Sequence, residues 1–304
     1  MTSKKIQPPF LKEGDEVAII SPSFCVEEKI LTDSVDFLAR WGLKVRIGEN
    51  AFKKYGPFAG TDDDRLTDLQ DMTDDNNIKA IFCSRGGYGL SKIINKADFS
   101  SLCSSPKWFS GFSDITILHI WLSEVCGVMS VHGEMALNFN NSEKTPDTFT
   151  SLRNALFGEP LVHIWTSSIY RPSDVTGEVT GGNLSLLCTL IGTEADPVTK
   201  GKILFIEDVG EYYYHIDRML TSLKLAGKLQ NLAALVIGGM NKMSEIKIPW
   251  GRSIEETIFD IVSEYDYPVF FDFPAGHISD NRAFYIGKKA GIKISGSTAS
   301  LSYF

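Results

Sequence analysis

Lys107-Trp108-Phe109-Ser110-Gly111-Phe112-Ser113-Asp114-Ile115-Thr116-Ile117 decides the fold. A short apolar run at Trp108 and Phe109 enters Gly111-Phe112-Ser113-Asp114, and an apolar stretch of helical period follows from Ile115 to Val125. That order is strand, sharp turn, helix, with a serine at the bend. A hydroxyl at such a bend is pushed into the open, with the amides of the next helical turn beside it. Hydrolases with a serine nucleophile use this arrangement. Position 115 is Ile where the full G-x-S-x-G pattern has its second Gly, and a serine at a strand–helix junction also serves as a plain N-cap. The turn alone leaves both readings open.

Outward from this turn, the first half alternates strand and helix. Glu16–Ser21, Leu43–Ile47 and Ile78–Ser84 read as strands, and Glu27–Trp41 as an amphipathic helix ending at Gly42. Thr61 opens a helix whose first turn holds Asp62, Asp63 and Asp64, which suits the helix dipole. Such alternation predicts an α/β fold with a parallel sheet, whose functional residues sit at the carboxyl ends of strands, where Arg85 and Ser113 fall. From Asn138 to Asp174 the pattern loosens, and Asn, Ser, Thr and Pro cluster. We expect an N-terminal domain over 1–137, a connector over 138–174 and a C-terminal domain over 175–304. In the last of these, Lys202–Ile206, Ala233–Gly238 and Val269–Phe271 read as strands, and Leu184–Ile191, His215–Leu225 and Ile254–Tyr265 as helices.

The 304 residues suffice for one large domain or two ordinary ones. A net charge of −8 with no Lys/Arg cluster argues against nucleic acid as a partner. No apolar run approaches the roughly 18 residues that span a bilayer, so no membrane partner is expected. Met1–Asp15 lacks the apolar core of a signal peptide, which predicts a cytoplasmic protein. The five cysteines are scattered without a C-x-x-C pair, which suggests reduced thiols, and the five histidines show no metal-ligand spacing. No metal and no cofactor are expected.

A serine hydroxyl needs a base, and the base needs an acid to hold its tautomer. His277 follows the strand Val269–Phe271 in a loop fixed by Pro274 and Gly276, and His132 is the rival base. Glu207 ends the strand Lys202–Ile206, with Asp208 on the other face. His277 also reads as a surface loop histidine, and Glu207 as a helix-capping or surface acid. Ser84-Arg85-Gly86-Gly87-Tyr88-Gly89 lets backbone amides approach a ligand. It could serve as a phosphate cradle, although it lacks the P-loop lysine, or as half of an oxyanion hole with the amide of Asp114 as the other half. Arg85 reads as a fork for a substrate carboxylate or as a structural ion pair.

Taken together, five segments resemble the LD-carboxypeptidase family. They are Ser84–Gly89, Gly111–Thr116, Gly181-Gly182-Asn183-Leu184, Leu204–Glu211 with Ile216-Asp217-Arg218-Met219-Leu220, and Gly276-His277, in family order over nearly the whole chain. The resemblance implies nucleophile Ser113, acid Glu207, base His277, and an oxyanion hole from the amides of Asp114 and of Gly86 and Gly87. It implies an N-terminal domain like that of class I glutamine amidotransferases, a smaller swivelling C-terminal β/α domain, and often a homodimer. The implied reaction is release of the terminal D-Ala from murein tetrapeptide during peptidoglycan recycling, so a muropeptide or small peptide is the expected partner. One alternative is the microcin-immunity branch, which cleaves an aminoacyl-nucleotide amide and needs an aromatic to stack on the base; Trp165 and Tyr170 are the candidates. The other is a non-catalytic peptide or nucleotide binder. Tyr212-Tyr213-Tyr214 departs from the family pattern and has no assigned role.

Overall fold

The computed structural model describes residues 5–304. Its strands, in chain order, are β1 Glu16–Ile20, β2 Lys44–Ile47, β3 Ile78–Cys83, β4 Trp108–Gly111, β5 Ser130–His132, β6 Val162–Thr166, β7 Ile169–Tyr170, β8 Val175–Asn183, β9 Ile203–Val209, β10 Ala234–Asn241, β11 Val269–Phe270, β12 Phe284–Ile286, β13 Lys289–Ser295 and β14 Thr298–Tyr303. The α-helices are α1 Glu28–Ala39, α2 Asp62–Asp74, α3 Thr116–Trp121, α4 Pro146–Phe157, α5 Leu184–Thr189, α6 Tyr213–Leu225 and α7 Ile254–Val262. The chain divides into two compact units. The first ends at Pro160 and takes back Ser279–Gly287; the second is Leu161–Ile278 with Lys288–Phe304. Residues 138–174, expected as a connector, are thus shared. They form α4 in the first unit and β6 and β7 in the second.

The first unit holds a six-stranded sheet in the order β12-β5-β4-β3-β1-β2, parallel except for β12 against β5. The apolar runs of β1, β3 and β4 are almost wholly buried, as strands covered on both faces require. The acidic first turn of α2 is completed by a capping box, in which Thr61 and Asp64 satisfy each other's backbone amides. In the second unit the order is β6-β14-β13-β8-β9-β10-β11-β7. Strands β8 to β11 are parallel, and the flanking pairs are antiparallel. Gly181-Gly182-Asn183 ends β8, and Asn183 caps α5. Among the described residues no helix is long and apolar enough to cross a membrane.

Candidate active site

In the first unit, Ser113 follows β4 with φ +64°, in the left-handed region that costs a non-glycine residue about 1–2 kcal/mol. Phe112 before it is extended, and a 3₁₀ turn at Ser113–Ile115 leads into α3. This is the strand–turn–helix bend expected from the sequence, and the serine is half-buried. Gly111 and Gly86 make the bend possible. A Cβ on Gly111 would lie 2.8 Å from Ile115, and one on Gly86 would lie 2.8 Å from Ser113 Cβ and 2.9 Å from its Oγ. The glycine loop after β3 therefore rests directly on the serine.

His119, one turn into α3, is fully buried and holds the bend from beneath. Its Nε2 donates to the Gly111 carbonyl at 2.8 Å, and its Nδ1 faces Ser130 Oγ at 2.8 Å. A carbonyl only accepts, so the proton is on Nε2 and Ser130 donates to Nδ1. Burial lowers its pKa to about 4, so the ring is neutral. Nothing in the local sequence around His119 marks this task. The rival base His132 is fully buried in β5, its ring stacked on Phe284 at 4.6 Å.

Arg85, on the loop after β3, donates to the Cys25 carbonyl at 3.2 Å and lies over the Phe24 ring. The Asp114 side chain is fully buried and accepts from Ser23 Oγ at 2.6 Å and from the Leu90 amide at 3.0 Å. The sequence points to the backbone amide of Asp114 and carries no signal for Ser23.

In the second unit, Glu207 of β9 is fully buried, as a surface or capping acid would not be. Its Oε2 accepts from His277 Nδ1 at 2.7 Å and from the His277 amide at 3.2 Å. The loop carrying His277 is seated on β10, with the Gly239 amide donating to the Ala275 carbonyl at 2.9 Å and Asn241 Nδ2 to the His277 carbonyl at 2.8 Å. Asn183 Nδ2, at the end of β8, donates to Glu207 Oε1 at 3.3 Å and to Asp208 Oδ1 at 3.0 Å, while its Oδ1 caps α5. Burial raises the Asp208 pKa to about 6, assisted by the neighbouring Glu207 charge. The structure thus brings Glu207 and His277 together in one unit, and Ser113, Asp114 and Gly86 together in the other. Asn183 has no role legible in the sequence, and the register of β8 against β9 places it opposite Glu207.

The aromatic residues considered for stacking on a base are engaged elsewhere. Trp165 is 7% exposed, donates to the Phe271 carbonyl and packs edge-on against Phe270 and Phe273. Tyr170 stacks on Phe259 at 4.3 Å. Tyr212 and Tyr214 stack on each other beside His215, whose Nδ1 lies 2.5 Å from Glu211 Oε2.

Models of the LD-carboxypeptidase N-terminal and C-terminal domains match residues 17–133 and 176–292. The chain belongs to the LD-carboxypeptidase family. It is 35% identical to a Bacillus subtilis (strain 168) protein named as a probable murein peptide carboxypeptidase, over 98% of this chain and 94% of the relative. A crystal structure of muramoyltetrapeptide carboxypeptidase from Oxalobacter formigenes superposes with a TM-score of 0.87 at 27% identity, covering 95% of this chain and 98% of the other. The microcin C7 self-immunity protein MccF, in complex with aspartyl sulfamoyl adenosine, shares the fold with a TM-score of 0.89 at 21% identity, covering 98% of this chain and 99% of the other.

Proposed function

We propose that this protein is a murein tetrapeptide LD-carboxypeptidase, with Ser113 as nucleophile, His277 as general base and Glu207 as the acid that orients it. The observation that carries the chemistry is the 2.7 Å Glu207–His277 hydrogen bond inside a buried strand end. With Nδ1–H committed to Glu207, the His277 lone pair is on Nε2, the nitrogen that takes the serine proton. Ser113 Oγ attacks the carbonyl of the amide joining an L-centre to the terminal D-alanine. The oxyanion receives hydrogen bonds from the amides of Asp114 and of Gly86 or Gly87. His277 then passes the proton to the leaving amine, D-alanine departs, and water, activated by the same histidine, hydrolyses the acyl-enzyme.

The murein substrate is supported by the names of the relatives together with the burial of Trp165, which removes one stacking platform that a nucleotide substrate would use. The cytoplasm and a homodimer complete the reading, and Arg85 is its candidate for the terminal carboxylate. Turnover of L-Ala-γ-D-Glu-meso-diaminopimelate-D-Ala and of an aspartyl-nucleotide amide, measured side by side, tests it. Release of D-alanine with an inert nucleotide amide is expected, and the reverse preference would reject the murein substrate.

A further inference from the structure

One carboxylate oxygen joins three strand-end loops of the first unit. Asp114 Oδ2 accepts from Ser23 Oγ, in the loop after β1, and from the Leu90 amide, where the glycine loop after β3 ends; Asp114 itself lies in the bend after β4. The same joint is buttressed from α2. Arg65, 1% exposed, donates to the Pro22 carbonyl at 2.6 Å and fills the space where a Cβ on Gly89 would lie, 2.5 Å from Nη1. The Phe24 amide reaches the Gly86 carbonyl at 3.4 Å. Burial raises the Asp114 pKa, while its two donors and the Arg65 charge work against that rise. Burying a carboxylate costs free energy that an apolar side chain would not, so packing alone does not account for an aspartate here.

We propose that the Asp114 side chain, as distinct from its amide, is a positioning group that sets the register between the nucleophile bend and the glycine loop, and so the spacing of the oxyanion-hole amides. This rests on the proposed function, in which those amides receive the oxyanion. Two of the contacts between the glycine loop and the Ser113 bend set their spacing. One is the close approach of Gly86 to Ser113, and the other is the Leu90–Asp114 hydrogen bond. Donors of an oxyanion hole act at about 2.7–3.1 Å, so slippage of a few tenths of an ångström at the second point removes a donor from range.

Kinetics of Asp114→Ala, Asp114→Asn and Ser23→Ala on the tetrapeptide, with inhibition by a phosphinate analogue of its scissile amide, test the proposal. In Asp114→Ala, kcat should fall about 10²-fold, the lower range for a lost oxyanion donor, with KM within about threefold. The phosphinate inhibition constant should rise by the factor lost in kcat/KM, because both report transition-state binding. Asp114→Asn, whose amide oxygen still accepts, should recover most of that loss. Ser23→Ala should shift both readouts together by roughly three- to tenfold. Should Asp114→Ala fail to fold by circular dichroism, Ser23→Ala decides alone. Unchanged values in Ser23→Ala, or a folded Asp114→Ala whose loss lies only in KM, overturns the proposal. Ser113→Ala measured alongside separates the two claims. If it is inactive while the brace variants match wild type, only the brace falls; if it turns over normally, the nucleophile assignment and the brace fall together.

Discussion

Replacing Gly276 by alanine should uncouple Glu207 from His277. Gly276 has φ +104°, where an alanine is strained, and its Cβ would lie 2.7 Å from Glu207 Oε2, 2.8 Å from Glu207 Cβ and 2.9 Å from Cγ. The Glu207 backbone is fixed between β8 and β10, so the side chain has to yield, starting with the oxygen that accepts from His277. A charge-assisted hydrogen bond of this kind is worth about 1.5–3 kcal/mol. The backbone strain adds about 1–2 kcal/mol against folding. In the proposed triad, an imidazole misplaced by 1 Å costs about 10²-fold in rate, and complete loss of its orientation costs about 10⁴-fold. We therefore expect kcat/KM for D-alanine release to fall between those limits, mainly through kcat, with a thermal midpoint lowered by several degrees. Glu207→Gln gives the reference loss. A folded Gly276→Ala protein with wild-type kcat/KM would refute the role of this glycine in keeping Glu207 and His277 in contact.

Gly86→Ala should act on the proposed nucleophile: a Cβ 2.8 Å from Ser113 Cβ displaces that side chain, with an expected drop of at least about 10² in kcat and little change in KM; steady-state kinetics check it. Ser113→Gly should be inactive yet harder to unfold in urea than Ser113→Ala by roughly 1 kcal/mol, because glycine relieves the positive φ. His119 links stability to pH. Its pKa falls from 6.5 to about 4 on folding, so the contribution of the neutral ring is fully present above about pH 6.5 and is lost as pH falls toward 4. The stability difference between wild type and His119→Gln in urea should therefore shrink by about 3 kcal/mol from pH 7 to pH 4. A pH-independent difference would contradict a neutral buried His119.

The alternating α/β half was legible because each element carries its own signal. Buried apolar runs mark β1 and β3, the Thr61–Asp64 cap marks α2, and Gly111 with Ser113 marks the bend. Helix α4 was not legible: Asn140 to Pro146 reads as loop composition, although Pro within the first turn is a helix start. The return of Ser279–Gly287 to the first unit, where β12 pairs with β5, depends on contacts more than 100 residues apart and has no local signature. The same holds at the site. Ser113, Glu207 and His277 stand at strand ends that the pattern marks, so their candidacy could be read from the sequence. Ser23, His119 and Asn183 act through partners set by strand register and helix packing, and neither is written in local periodicity.

D-alanine release from L-Ala-γ-D-Glu-meso-diaminopimelate-D-Ala by wild type and by Ser113→Ala is the decisive measurement. Release by wild type and none above background by the folded variant are expected. Release by Ser113→Ala at the wild-type rate, or none from folded wild type, would contradict the proposed function.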